Sequence, residues 1–191
     1  MKEYFSNCRN VILFGSIGAL LGHIYMVSYL GLNWYETPIS HLSQNDAWLA
    51  HGAVLTLFAL AQAAIVRHVE HPEAGMLTRC IQGLSMINSA LILSLSYAFT
   101  LPSSALHTTL LSIIASFTGV SMACLIARNL SRNNLPDAIV HSVFLAIWLA
   151  LIPLYLVIES RSIGAYERTV AAVYCAWLFT IATRQGFIRR I

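Results

Sequence analysis

Charge is scarce in this chain of 191 residues: only 10% are Asp, Glu, Lys or Arg, against roughly 25% in an ordinary soluble domain. Lysine is nearly missing, since ten of the eleven basic residues are arginine. No long polar segment, low-complexity tract or evident internal repeat interrupts the sequence. These absences exclude a soluble nucleotide enzyme. There is no Walker loop, no G-x-G-x-x-G after a strand, and no polar stretch long enough to fold around a phosphate. The formal charge of +3 is no nucleic-acid signal either, because the arginines are spread over loops and tails without a basic, aromatic-interleaved patch. The four cysteines, Cys8, Cys80, Cys124 and Cys175, form no C-x-x-C and no zinc-ligand spacing, so neither a structural zinc site nor a disulfide framework is expected.

What the chain has in abundance is apolar surface. Hydrophobic residues make up 58% of it, and the mean hydropathy is +0.69. Six apolar stretches, at about 11–30, 47–66, 80–99, 106–127, 138–158 and 168–186, each approach the roughly 20 residues that a bilayer-crossing helix needs. The first is too long for a signal-peptide core and lacks an A-x-A-like cleavage site, so it reads as a retained span. Strands are excluded for these stretches, because an open strand in hydrocarbon leaves its backbone groups unsatisfied. The expected fold is all-α: one domain, 1–191, a polytopic membrane bundle of six transmembrane helices with short loops.

Orientation follows from the basic residues. With the N-terminus inside, Lys2, Arg9, Arg67, Arg79, Arg128, Arg132, Arg184, Arg189 and Arg190 are cytoplasmic, and only Arg161 and Arg168 are outside. Both chain ends are therefore expected in the cytoplasm, with the protein in a bacterial plasma (inner) membrane. Small-residue ladders mark expected helix seams: Gly18 and Gly22, then Ala115, Gly119, Ala123 and Ala127, then Ala172 and Ala176. Pro153 is an expected kink in the fifth span.

With that topology, four of the seven histidines and four of the eight acids fall at the extracytoplasmic end: His23, His41, His51 and His107, with Glu36, Asp46, Glu159 and Glu167. Three chemistries use such a set. Imidazoles and carboxylates suit a divalent metal, and if one binds, His41, His51 and His107 are the candidate ligands. The same groups can act as general acid and base toward a serine nucleophile such as Ser40, Ser43, Ser103 or Ser104. Arg161 and Arg168 can hold a lipid phosphate. No H-E-x-x-H and no pair of histidines four apart selects the metal reading, and no cofactor is expected. A second feature is a polar stripe in the third span, Gln82, Ser85, Asn88, Ser89 and Ser96, which either bonds neighbouring helices or lines a path. His141 reads as interfacial, and His68 as part of a solvated inner loop.

Pro38-Ile39-Ser40-His41-Leu42 after the first span, His107 opening the fourth, and Gly164-x-x-Glu167-Arg168 opening the sixth resemble the bacterial domain-of-unknown-function 998 family. More distantly, with the Ser104-Ala105-Leu106-His107 segment, the chain is similar to the DRAM/Frag-like six-helix membrane proteins, which include a factor for GPI-anchor lipid remodelling. His41 departs from the family, which often has an acid or another polar residue there. The resemblance implies a six-helix fold and a connection to lipids, and it names no reaction.

The leading expectation is a protein that binds or processes a membrane lipid at the outer leaflet. Ser40, His41, His107 and Glu167 are its candidate catalytic residues, and Arg168, Arg161 and Trp34 its headgroup contacts. A transporter of a small solute or proton using His23 and Asn88, and a regulatory subunit that packs against another copy or another membrane protein, are the alternatives.

Overall fold

The computed structural model describes residues 2–37, 39, 48–69, 75–98, 104–158 and 162–184. Each apolar stretch corresponds to one helix: α1 (Lys2–Tyr29), α2 (Trp48–His68), α3 (Met76–Ala98), α4 (Ser104–Ser131), α5 (Leu135–Val157) and α6 (Ile163–Arg184). The helices overrun several of the stretches, most of all in α1, because a helix does not stop where its side chains turn polar. α5 runs unbroken through Pro153.

Consecutive helices pack side by side, and α6 closes the ring by packing on α1 as well as α5. It also reaches across the interior to α2. We call the end that carries the α1–α2 connection the upper end. The Ala165 amide donates to Tyr35 O there at 3.0 Å, and the Tyr166 hydroxyl to Leu151 O at 3.0 Å. Arg184 meets Asp137 at the lower end. The helices therefore alternate in direction.

Two turns have a definite sequence cause. Gly31 sits at φ 61°, and the bonds Leu32 N to Val27 O and Gly31 N to Ser28 O form the double-bonded stop that a left-handed residue allows at a helix C-terminus. Asn133, at φ 56°, repeats the pattern at the end of α4, through Asn134 N to Asn129 O and Asn133 N to Leu130 O. Pro136 then opens α5, where a missing N–H is no loss.

The first ladder is a seam, and it is longer than its two expected glycines. A Cβ on Gly22 would fall 2.7 Å from Val54 Cγ2, and one on Gly15 would fall 2.7 Å from Leu57 O. Ala115 and Gly119 face α5, where the Trp148 indole N–H donates to Ala115 O at 3.0 Å. Ala123, Ala127, Ala172 and Ala176 are instead exposed, so the lower part of the second ladder and the whole of the third are not internal seams.

Five of the six helices, α1 to α5, are long and apolar enough to cross a membrane by length and composition. α6 carries Glu167, Arg168 and Arg184. It buries Tyr174, Trp177, Leu178, Ile181 and Ala182 in one continuous core with Ile12, Ile65, Ile81, Met122 and Leu125. The outside of the bundle is apolar as well: Phe14, Leu21, Leu49, Leu60, Ile87, Val120, Val143 and Leu149 are all exposed. An apolar exterior of this extent is what a lipid-facing surface requires, and a soluble monomer avoids it. The helical, apolar bundle is compatible with a membrane protein.

Candidate functional site

At the upper end, α6 begins with three residues that fix the loop leaving α1. Gly164 lies against that loop so closely that a Cβ would stand 2.5 Å from Thr37 O and 2.7 Å from Arg168 Nη1. One turn later Arg168 donates from Nη1 to Thr37 O at 2.8 Å. Its guanidinium also stacks 4.7 Å from the centre of the Trp34 ring, a contact that suits the planar, weakly hydrated cation. The neighbouring Glu167 accepts the Ile39 amide on Oε2 at 2.6 Å. Glycine, acid and arginine thus act together as a clasp, which sequence spacing alone could not reveal.

The clasp leaves Arg168 in an unusual state. Only 5% of the residue is exposed. Yet Nε and Nη2 have no hydrogen-bond partner among the described residues, and no carboxylate there forms a salt bridge with it. A buried cation with two unmatched donors is unfavourable, because each unsatisfied polar group costs on the order of 1–3 kcal/mol and more when charged.

His23 approaches it, and histidines from two further helices follow beyond. His23, on α1, packs its ring 6.2 Å from that of Trp34 and lies within electrostatic range of both Arg168 and His51. His51, on α2, is in turn within range of His107 on α4. His23 and His51 are buried, and His23 Nε2 also lacks a partner among the described residues. Exposed Tyr25, Tyr29, Trp34, Tyr35, Trp48 and Tyr155 surround this end, as aromatic side chains do at a membrane–water boundary.

The candidate residues therefore separate. Trp34 and Arg168 touch, Glu167 serves the same loop, and His51 and His107 come together on the far side of His23. Ser40, His41 and Arg161 lie outside the described residues. Among the described residues no group of three or more His, Cys, Asp or Glu is arranged to hold a metal ion. His23 is the member of the cluster that charge counting undervalued; its position one helix face from Trp34 became apparent only with the fold.

At the lower end two expectations are corrected. His68 is buried, with Nε2 3.2 Å from Ile181 O, because α6 descends alongside α2 and covers it. His141 is fully buried, since α5 turns this face toward the ring's interior. The third-span stripe bonds neighbouring helices: Gln82 donates to Val66 O, Asn88 to Thr118 Oγ1 and Ser89 to Ala59 O. A groove of about 430 Å³ between α1 and α2 is lined by Asn7, Val11, Phe14 and Leu60, far from every candidate residue. Cys8, Cys80, Cys124 and Cys175 form no disulfide with one another.

Comparison of the chain with protein-family models, with curated proteins and with solved structures finds no match.

Proposed function

We propose that this is a six-span protein of a bacterial plasma membrane, with both chain ends cytoplasmic, that captures the anionic headgroup of an outer-leaflet lipid on Arg168. The observation that carries the reading is the pair of guanidinium donors, in a buried setting, that have no partner among the described residues. A guanidinium edge presents two parallel N–H groups, the pattern that binds phosphate or carboxylate oxygens in a fork. Trp34 and Thr37 hold the other side of the group and so orient the fork, while His23 supplies an imidazole nitrogen beside it. The exposed aromatic residues around this end support a position at headgroup depth, with acyl chains on the apolar exterior. The motif resemblance at Pro38–Leu42 and Gly164–Arg168 supports the same association with lipids. α6 is read as a span despite its charges because Arg168 is buried and Glu167 half-buried within the bundle, where they need not meet hydrocarbon, and Arg184 stands at the lower end.

The test is phospholipid retained by protein purified into detergent, measured by native mass spectrometry. Arg168→Gln is expected to lose bound anionic lipid by about tenfold, the effect of one charge-assisted contact. Arg168→Lys is expected to lose most of it too, because an ammonium cannot form the fork. Equal lipid occupancy in wild type and both variants would overturn the reading. Lipid turnover that disappears in His107→Ala while the lipid stays bound would extend it to processing. Reporter fusions at both termini test the orientation.

A further inference from the structure

The interior holds a second concentration of unmatched polar atoms, and it lies away from Arg168. Interhelical bonds set the depths. Asn88 pairs with Thr118, Ser89 with Ala59, Gln62 with Tyr174 and Trp148 with Ala115. Counting from these pairs at about 1.5 Å per residue, Gln62, Ser85, Ser121 and His141 come to one level. Asn88 stands about one turn above it, and Trp177 slightly below. All six are fully buried, on α2, α3, α4, α5 and α6. Gln62 Nε2, Ser85 Oγ, Asn88 Oδ1, Ser121 Oγ, Trp177 Nε1 and both His141 ring nitrogens have no hydrogen-bond partner among the described residues.

Ordinary helix packing does not account for this layer. Serines in helices usually satisfy themselves on their own backbone, and here Ser16, Ser112, Ser116 and Ser142 do so, each donating to the carbonyl four residues back. Ser85 and Ser121, the two that face the layer, do not. Buried polar groups without protein partners are characteristically served by ordered water.

The layer also has a polar connection on one side. Asp137 lies one turn below His141 on α5 and within electrostatic range of it, as are Arg184 of α6 and Arg128 of α4. Asp137 Oδ1 is 3.1 Å from Arg184 Nη1, and Arg184, 45% exposed at its side chain, reaches the lower surface. Tyr174 and Cys175 stand beside the layer on α6. On the upper side the neighbours are Phe58, Ile92, Ile114 and Trp148, which are apolar apart from an indole N–H already bonded to Ala115 O.

We propose that this layer is an internal hydrated proton site, with His141 as the group that titrates and Asp137 marking its route to the lower face. A hydronium arriving past Asp137 gives its proton to the His141 ring and becomes water. The imidazolium is then held by the Asp137 carboxylate and by water bonded to Ser85, Ser121 and Asn88, and the proton leaves by the same route.

The test uses the full-length protein in lipid nanodiscs and reads deuterium exchange at the C2 carbon of each histidine by mass spectrometry. That exchange needs both a protonated ring and contact with water, so it reports the two claims together. His141 is expected to exchange with a sigmoidal pH profile, within about tenfold of its rate in the denatured chain. Ser85→Val combined with Ser121→Val is expected to slow it by at least about tenfold, because exchange would then wait for local opening. Arg168→Gln is expected to leave it unchanged, which separates this site from the headgroup site. If the double variant does not fold, Asp137→Leu, which blocks the route, is expected to give the same slowing. No exchange at His141 at any pH, or exchange unaffected in the folded variants, would overturn the proposal.

Discussion

Arg168 and Arg184 stand near opposite ends of the same helix, and the bundle treats them differently. Arg184 is half-exposed and faces the carboxylate of Asp137, whose other oxygen accepts the Asn134 amide at 2.8 Å. Such a pair is satisfied, and its arginine has water to fall back on. Arg168 is buried against a carbonyl and an indole, while the adjacent carboxylate serves the Ile39 amide instead. The same residue type is thus a fastening at the lower end and, among the described residues, a cation with spare donors at the upper end. The difference teaches where to look for function: in unmatched capacity held rigidly in place, which charge by itself does not indicate.

The most severe way to break this contrast is to dislodge the upper clasp. Gly164→Val places a branched side chain where Thr37 O and Arg168 Nη1 already stand, 2.5 and 2.7 Å from the new Cβ. Neither the backbone carbonyl nor the packed arginine can move aside cheaply. A loss of about 3 kcal/mol is expected, read as thermal or denaturant unfolding in detergent, with lipid retention lost as well. A variant as stable as wild type would show that the loop does not rest on α6.

Glu167 sharpens the comparison at the next level. Glu167→Ala removes an ionised acceptor from a partly buried amide and is expected to cost about 2 kcal/mol. Glu167→Gln keeps an oxygen for Ile39 N and should recover at least half of that. If both variants lose the same amount, the charge rather than the hydrogen bond is what matters there. At the lower end Arg184→Gln should cost about 1 kcal/mol, because the half-exposed guanidinium is screened and the buried Asp137 carboxylate keeps the Asn134 side-chain amide. A loss as large as that of Glu167→Ala would erase the distinction between the two ends.

How much of this was legible in the sequence depends on what sets each feature. The helices were readable because length and apolarity are local properties, and Gly18 with Gly22 was readable because a close approach needs small residues. Gly15, the equally tight contact, was missed because it lies outside the i, i+4 pair. The gathering of histidines at one end followed from counting depth along each stretch. Their order did not, since which of His23, His51 and His107 faces Arg168 depends on the rotation of each helix about its axis. His68 and His141 were misplaced for the same reason: a residue near a helix end looks solvated until a neighbouring helix is known to extend past it.

The smallest expected effect tests the middle of the bundle. The Tyr174 hydroxyl donates to Gln62 Oε1 at 2.8 Å. Tyr174→Phe keeps the ring against Phe58, with centroids 4.7 Å apart, and Trp177, and removes only the oxygen. In a dry interior the buried Gln62 Oε1 would be left facing hydrocarbon, a loss of about 2 kcal/mol. In a hydrated layer a water takes the place of the hydroxyl, and the loss should fall to about 0.6 kcal/mol, the average for one interhelical bond in a membrane protein. Unfolding of this single variant in detergent therefore distinguishes an interior that is polar because it is wet from one that is polar only to hold its helices together.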